Sequence, residues 1–139
     1  MHCVSHFTRV KTQFKSSENL VRALKAMGFK QVEQHASPKG LYGYRGDLRS
    51  DTAHIIVRRK YVGGASNDLG FIRREDGTYE AIISAYDRQT GKDERWMTRL
   101  RREYGRSTVM EYAKREGYDV VESTQTQSEE IRIVLRRGA

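Results

Sequence analysis

Residues 5–14, Ser-His-Phe-Thr-Arg-Val-Lys-Thr-Gln-Phe, constrain the fold most. Val10, Thr12 and Phe14 alternate with Arg9, Lys11 and Gln13, the period of a half-buried strand. Valine, threonine and phenylalanine suit a pleated surface, and the arginine and lysine face outward. Phe7 falls on the charged side of the alternation, where it reads as an anchor tucking the chain end under a sheet. A strand this early requires later segments to pair with it and cover its apolar side.

The 139 residues suit one domain with a single core. A hydrophobic share of 37% beside a charged share of 32% fits a folded soluble protein and excludes disorder. The formal net charge is +8, which attracts nucleic acid, anionic membrane or an acidic partner. The one cysteine, Cys3, offers neither a disulfide framework nor zinc spacing and fits a reducing compartment. No apolar run is long enough for a membrane span, so the expected place is a cytoplasm, without membrane association.

Ser16 or Ser17 caps a helix expected over 18–27, where Leu20, Val21, Leu24 and Met27 form its core stripe. Gly28 ends it. A strand is expected at 30–35, a turn at 36–40, a short strand at 41–44 and a polar loop at 46–51. Residues 52–59 read as a clear strand, 63–67 as a flexible turn. Residues 68–72 and 78–85 read as a hairpin joined through Asp76-Gly77. From Asp93 the period becomes helical, with Trp96, Met97, Leu100 and Tyr104 inward. Gly105 is expected to break that helix, with Ser107 capping a second piece that stops at Gly117. Residues 119–122 and 131–135 read as two closing strands. The sum is one α+β domain over 1–139, a mostly antiparallel sheet with helices packed on one face, and 1–4 a mobile extension.

Ser5-His6-Phe7, Lys11-Thr12, Leu20 to Leu24 and Gly28-Phe29 are similar to the opening of a known family. The likeness continues through Gly43-Tyr44-Arg45-Gly46, Leu69-Gly70-Phe71, Trp96, Tyr104, Gly117-Tyr118, Val121-Glu122 and Ile131 to Leu135. The chain thereby resembles the hypothetical chloroplast reading frame 35 family, domain of unknown function 1257. That resemblance implies a bacterial cytosol or plastid stroma and no catalytic residue. Members begin Met-Ser-His-Phe, so here Val4 is a candidate start. Residues 58–67 read as longer and more basic than the corresponding family loop.

Two basic clusters are candidate sites. Arg95, Arg99, Arg102 and Arg106 share a helix face opposite Leu100, where guanidinium forks suit phosphates and Tyr104 suits base stacking. The alternative is a solvated face paired with Asp93, Glu94 and Glu103. Arg58, Arg59 and Lys60 with Tyr61 read as a basic hairpin tip, or as a strand edge protected by charge. Trp96 and Tyr104 are candidate partner contacts, with the core as the competing place for the tryptophan. His6, His35 and His54 lack metal-ligand spacing, so no metal or cofactor is implied. Asp47 and Asp51 reach hydrolytic chemistry only if the fold brings His54 beside them.

The leading expectation is a non-enzymatic module contacting RNA or another polyanion. A second is an adaptor or subunit of a protein complex, with an AAA-type ATPase as one class of partner. A small hydrolase using Asp51 and His54 is a third.

Overall fold

In the computed structural model, which describes residues 6–125 and 130–138, the alternating stretch forms an edge strand, β1 (Phe7–Lys11). The chain continues through α1 (Ser17–Ala26), β2 (Glu33–Tyr42), β3 (Leu48–Val57), α2 (Arg59–Val62), β4 (Leu69–Arg73) and β5 (Tyr79–Ser84). It ends with α3 (Ala85–Gln89), α4 (Glu94–Glu116), β6 (Tyr118–Gln125) and β7 (Ile131–Arg137). The first five strands form one antiparallel sheet in the order β1-β5-β4-β3-β2, and β6 and β7 pair separately. The expected α+β class holds. The expected extension over 1–4 lies outside the described residues.

Helices α1 and α4 cover one face. Leu20, Ala23 and Leu24 of α1 and Trp96, Met97 and Leu100 of α4 pack on Ile55, Val57, Phe71, Ala81 and Ile83. Ser16 caps α1, its Oγ accepting the Asn19 N–H at 3.1 Å. The two helices are tied by Ser107, which donates to the Asn19 side-chain carbonyl at 2.7 Å.

On the opposite face the buried cluster is made of strand residues alone among the described residues, and the sheet covers it by folding on itself. The β3–β4 ladder stops at Ile55–Phe71. Beyond it, the β2–β3 hairpin bends across the second face, where Leu41 and Ala53 close over Ile56 and Ile82. Gly70 permits this approach: a Cβ there would lie 2.7 Å from the Ala53 Cβ. The hairpin reaches the far edge, so the Arg49 guanidinium sits 5.8 Å from the Phe7 ring centre and Asp51 accepts from Arg9 at 3.3 Å. Phe7 is half-buried against this second cluster, and the chain end it was expected to anchor lies outside the described residues.

Four expectations are corrected. Residues 33–42 form one strand rather than strand, turn and strand. The register shift between Gln34 and Lys39 absorbs the turn signal around Pro38 as a bulge, which an edge strand tolerates because proline has no N–H to lose. The strand expected to begin at Thr52 begins at Leu48, and the turn tightens to 43–47 through the Gly43 and Gly46 N–H bonds. Helix α4 runs unbroken through Gly105, because Tyr104 and Ser107 are held on either side of it. Its C-cap is Gly117 at φ +76°, the left-handed conformation glycine adopts without strain. The turn at 63–67, expected to be flexible, is firm at its end: Ser66, Asn67 and the following Asp68 are buried.

Candidate functional site

Asp93 begins α4, its carboxylate accepting the Trp96 N–H at 3.1 Å. From that cap the 3.6-residue period divides the helix. Trp96, Met97 and Leu100 are buried. Positions 95, 99, 102 and 106, spaced four, three and four apart, fall in one stripe on the other side. Arg95 and Arg99 are exposed and line one open cleft of about 270 Å³ with Gly91, Asp93 and Trp96. Among the described residues no carboxylate pairs with either guanidinium. Arg102 is half-buried, and Arg106 donates to the Ser123 hydroxyl at 2.6 Å, tying the stripe to β6. Glu94, expected to neutralise the face, instead accepts from Arg101 at 2.9 Å.

The second basic cluster is built differently. Residues 58–60 lie where β3 passes into α2, not at a hairpin tip. Arg58 is used inside the fold. It donates to both Glu33 oxygens at 2.9 and 3.0 Å, to Asp68 at 2.9 Å and to the Gly40 carbonyl at 3.0 Å. The Arg58 hydrogen bonds hold the Glu33 carboxyl below the usual carboxylate range, against an opposing effect of burial. Arg59 donates to the Tyr44 carbonyl at 2.8 Å. Lys60 remains exposed, its ammonium 5.0 Å from the Tyr61 ring centre.

Trp96 and Tyr104, named as candidate partner contacts with the core as the competing place, lie in and against the core. Trp96 is 5% exposed and meets Phe29 edge-on. Tyr104 packs on Phe14 with ring centres 4.4 Å apart, and its hydroxyl accepts the Lys15 and Ser16 N–H groups at 3.0 Å each. The ring that was expected to stack on a base therefore stacks on a core phenylalanine. Exposed apolar side chains lie further along, at Val109, Met110 and Tyr112 of α4 and Val121 of β6, and elsewhere at Tyr42, Leu48, Tyr61 and Tyr86.

The expected Asp51–His54 pair is not assembled. Asp51 faces Arg9, whereas the His54 Nδ1 accepts the Arg73 N–H at 3.0 Å on the other side of the hairpin. Among the described residues no group of three or more metal-ligating side chains converges, and no helix is long and apolar enough to cross a membrane.

One polar assembly escaped the sequence reading. Buried Asp68 accepts from the Tyr42 N–H, the Arg59 N–H and Arg58. Beside it, Asn67 donates to the Ser84 hydroxyl at 2.9 Å, and Ser84 donates to Asp87 at 2.7 Å. The signal was present: Ser84-Ala85-Tyr86-Asp87 has the spacing of a helix-capping pair, and Asp87 returns its own N–H to the Ser84 Oγ at 3.0 Å. Asp68 is paired with Arg58, and the Asp87 carboxylate is satisfied by hydrogen bonds from the Ser84 hydroxyl and the Asn67 N–H, so the assembly works as a brace.

Comparison with known proteins gives the same restricted picture. A curated protein of Cyanophora paradoxa, "Uncharacterized protein ycf35", is 26% identical over 135 residues, covering 96% of this chain and 98% of that protein. No solved structure matches significantly. The model of the family described as "Protein of unknown function (DUF1257)" matches residues 23–134. The chain belongs to the DUF1257 family.

Proposed function

We propose that this chain is a non-enzymatic binding module of a bacterial cytosol or plastid stroma. Its α4 stripe, led by Arg95 and Arg99 and continued by Arg102 and Arg106, takes the phosphate backbone of RNA or another polyanion. The observation that carries this reading is the pair Arg95 and Arg99, exposed one turn apart over a shared cleft, neither in an ion pair among the described residues, while Asp93 in the same lining caps the helix. Arginine forks grip phosphate oxygens in two places, and neutralising phosphates releases counterions. The net charge of +8 supplies attraction at longer range.

The test is fluorescence anisotropy with a labelled single-stranded RNA across a salt series. Two phosphates neutralised on a single strand correspond to a log–log slope near −1.4, about a sevenfold loss between 50 and 200 mM salt. Arg95→Glu with Arg99→Glu removes that binding. Affinity unchanged across the series sinks the proposal. The adaptor reading is favoured by exposed Val109, Met110, Tyr112 and Val121. A stoichiometric protein recovered after nuclease treatment, and lost with Tyr112→Lys, supports that alternative.

A further inference from the structure

The β2–β3 hairpin leaves the sheet at a point where cationic side chains collect. Past Ile55–Phe71 the Arg73 N–H, which a ladder would give to a backbone carbonyl, is taken by the His54 ring. On the other side of β3, the β2 bulge between Gln34 and Lys39 carries His35. The two departures open a cleft of about 320 Å³ lined by Ser17, Gln34, His35, His54, Arg73 and Tyr79. We propose that this cleft binds the phosphate or carboxylate group of a small ligand, with Arg73 as its main grip and the imidazoles of His54 and His35 beside it.

The donor inventory favours an oxyanion. Arg73 spends one Nη2 bond on the Tyr79 hydroxyl at 3.1 Å, and a guanidinium has five N–H donors in all. Because the His54 Nδ1 accepts from backbone, neutral His54 carries its proton on Nε2 and is itself a donor. Serine, glutamine and tyrosine add neutral groups that can donate. The lining holds no carboxylate. Glu33 reaches the His35 Nε2 at 2.8 Å, but its two oxygens are also gripped by Arg58.

The electrostatics point the same way. Burial is the main cause that lowers the proton affinity of His54, and the charges of Arg73 and His35 lower it further. These groups therefore repel positive charge from one another across a shared space. A bound anion reverses that repulsion and draws a proton onto His54. The groups set around this imidazole are Arg73 on β4, Tyr79 on β5, and His35 with its partner Glu33 on β2. Affinity for the anion consequently rises as pH falls through the imidazole range. The volume suits a small head group and a few further atoms.

This inference is independent of the α4 stripe, and its test separates the two. Inorganic phosphate is titrated into the full chain, with sodium chloride at matched ionic strength as control, and histidine ring resonances are followed by NMR from pH 5 to 8. Phosphate is expected to shift His54 and raise its pKa by about half a unit or more, while chloride does not. Arg73→Gln abolishes the shift and Arg73→Lys weakens it. Arg95→Gln with Arg99→Gln leaves it intact. Equal responses to phosphate and chloride overturn the proposal, as does a response that survives Arg73→Gln in a protein whose other resonances are unchanged.

Discussion

The Arg58 guanidinium lies 2.9 Å from the carboxylate of Asp68, a side chain 1% exposed. Asp68 also takes two backbone N–H groups, from Tyr42 and Arg59, so this ion pair pins the end of β3 to the end of β2. Removing one member leaves a buried charge short of its counterion. Arg58→Met is expected to cost about 2–3 kcal/mol in urea unfolding, by the loss of these charged hydrogen bonds. It is expected to leave RNA affinity within about twofold, since a guanidinium held by three acceptors has little to offer a phosphate. Arg95→Met should show the reverse: little change in stability and a clear loss of affinity.

Gly70→Ala tests how the second sheet face is closed. The added Cβ meets Ala53 at 2.7 Å and both Leu41 methyl groups at 3.0 Å. Ala53 has no rotamer with which to retreat, so the hairpin itself must lift. A loss of about 1–3 kcal/mol is expected, the range for overpacking a closed core. Gly64→Ala, whose Cβ would meet nothing within 4 Å, is the control and should be near neutral.

Gly105→Ala is expected to stabilise the protein. The position is inside a continuous helix, and a Cβ there would meet nothing within 4 Å. Alanine improves helix propensity by about 1 kcal/mol relative to glycine. Thermal denaturation should show the midpoint rising by a few degrees.

Stability should fall in two steps on the acid side. The ordinary imidazole value is 6.5, and His54 in the fold lies below it, chiefly through burial. Between those two values the unfolded chain binds more protons than the folded one, so stability rises with pH there. The His54 contribution is thus complete above 6.5 and lost as pH falls through that value toward the folded one. Glu33 lies below its ordinary 4.5, chiefly through the Arg58 hydrogen bonds, and its contribution is lost lower still, as pH falls through its folded value. In urea unfolding at stepped pH, His54→Gln should flatten the upper step and leave the lower. Glu33→Gln should do the opposite.

The elements legible in the sequence were those whose signals are local. The alternation of residues 9–14, the Ser16 cap of α1, the Asp76-Gly77 turn and the Gly117 stop each depend on neighbours within a few positions. What could not be read depends on distant partners. Pro38 and Gly40 look like a turn until Ala53 and Thr52 pair opposite Lys39 and Gly40. Gly105 looks like a break until Phe14 and Asn19 hold the residues beside it. The stripe of Arg95 and Arg99 was visible as helical spacing. The internal use of Arg58 was not, because its acceptors are 25 and 18 residues before it and 10 after. The convergence of His35, His54 and Arg73 was equally hidden, since it requires the point at which a strand leaves its neighbour.

The partner of β1 in the sheet is β5, with Phe7 opposite Ser84. During synthesis the first strand therefore waits for more than seventy residues before its ladder can form. At about 5–20 residues per second this is a delay of several seconds. Throughout it, Val10 and Phe14 have α1 beside them in sequence but no sheet to lie on. The positive charges of Arg9 and Lys11, interleaved along the same strand, keep that nascent edge from pairing with another chain. The alternation that makes the strand foldable thus also protects it on the ribosome until residue 84 arrives.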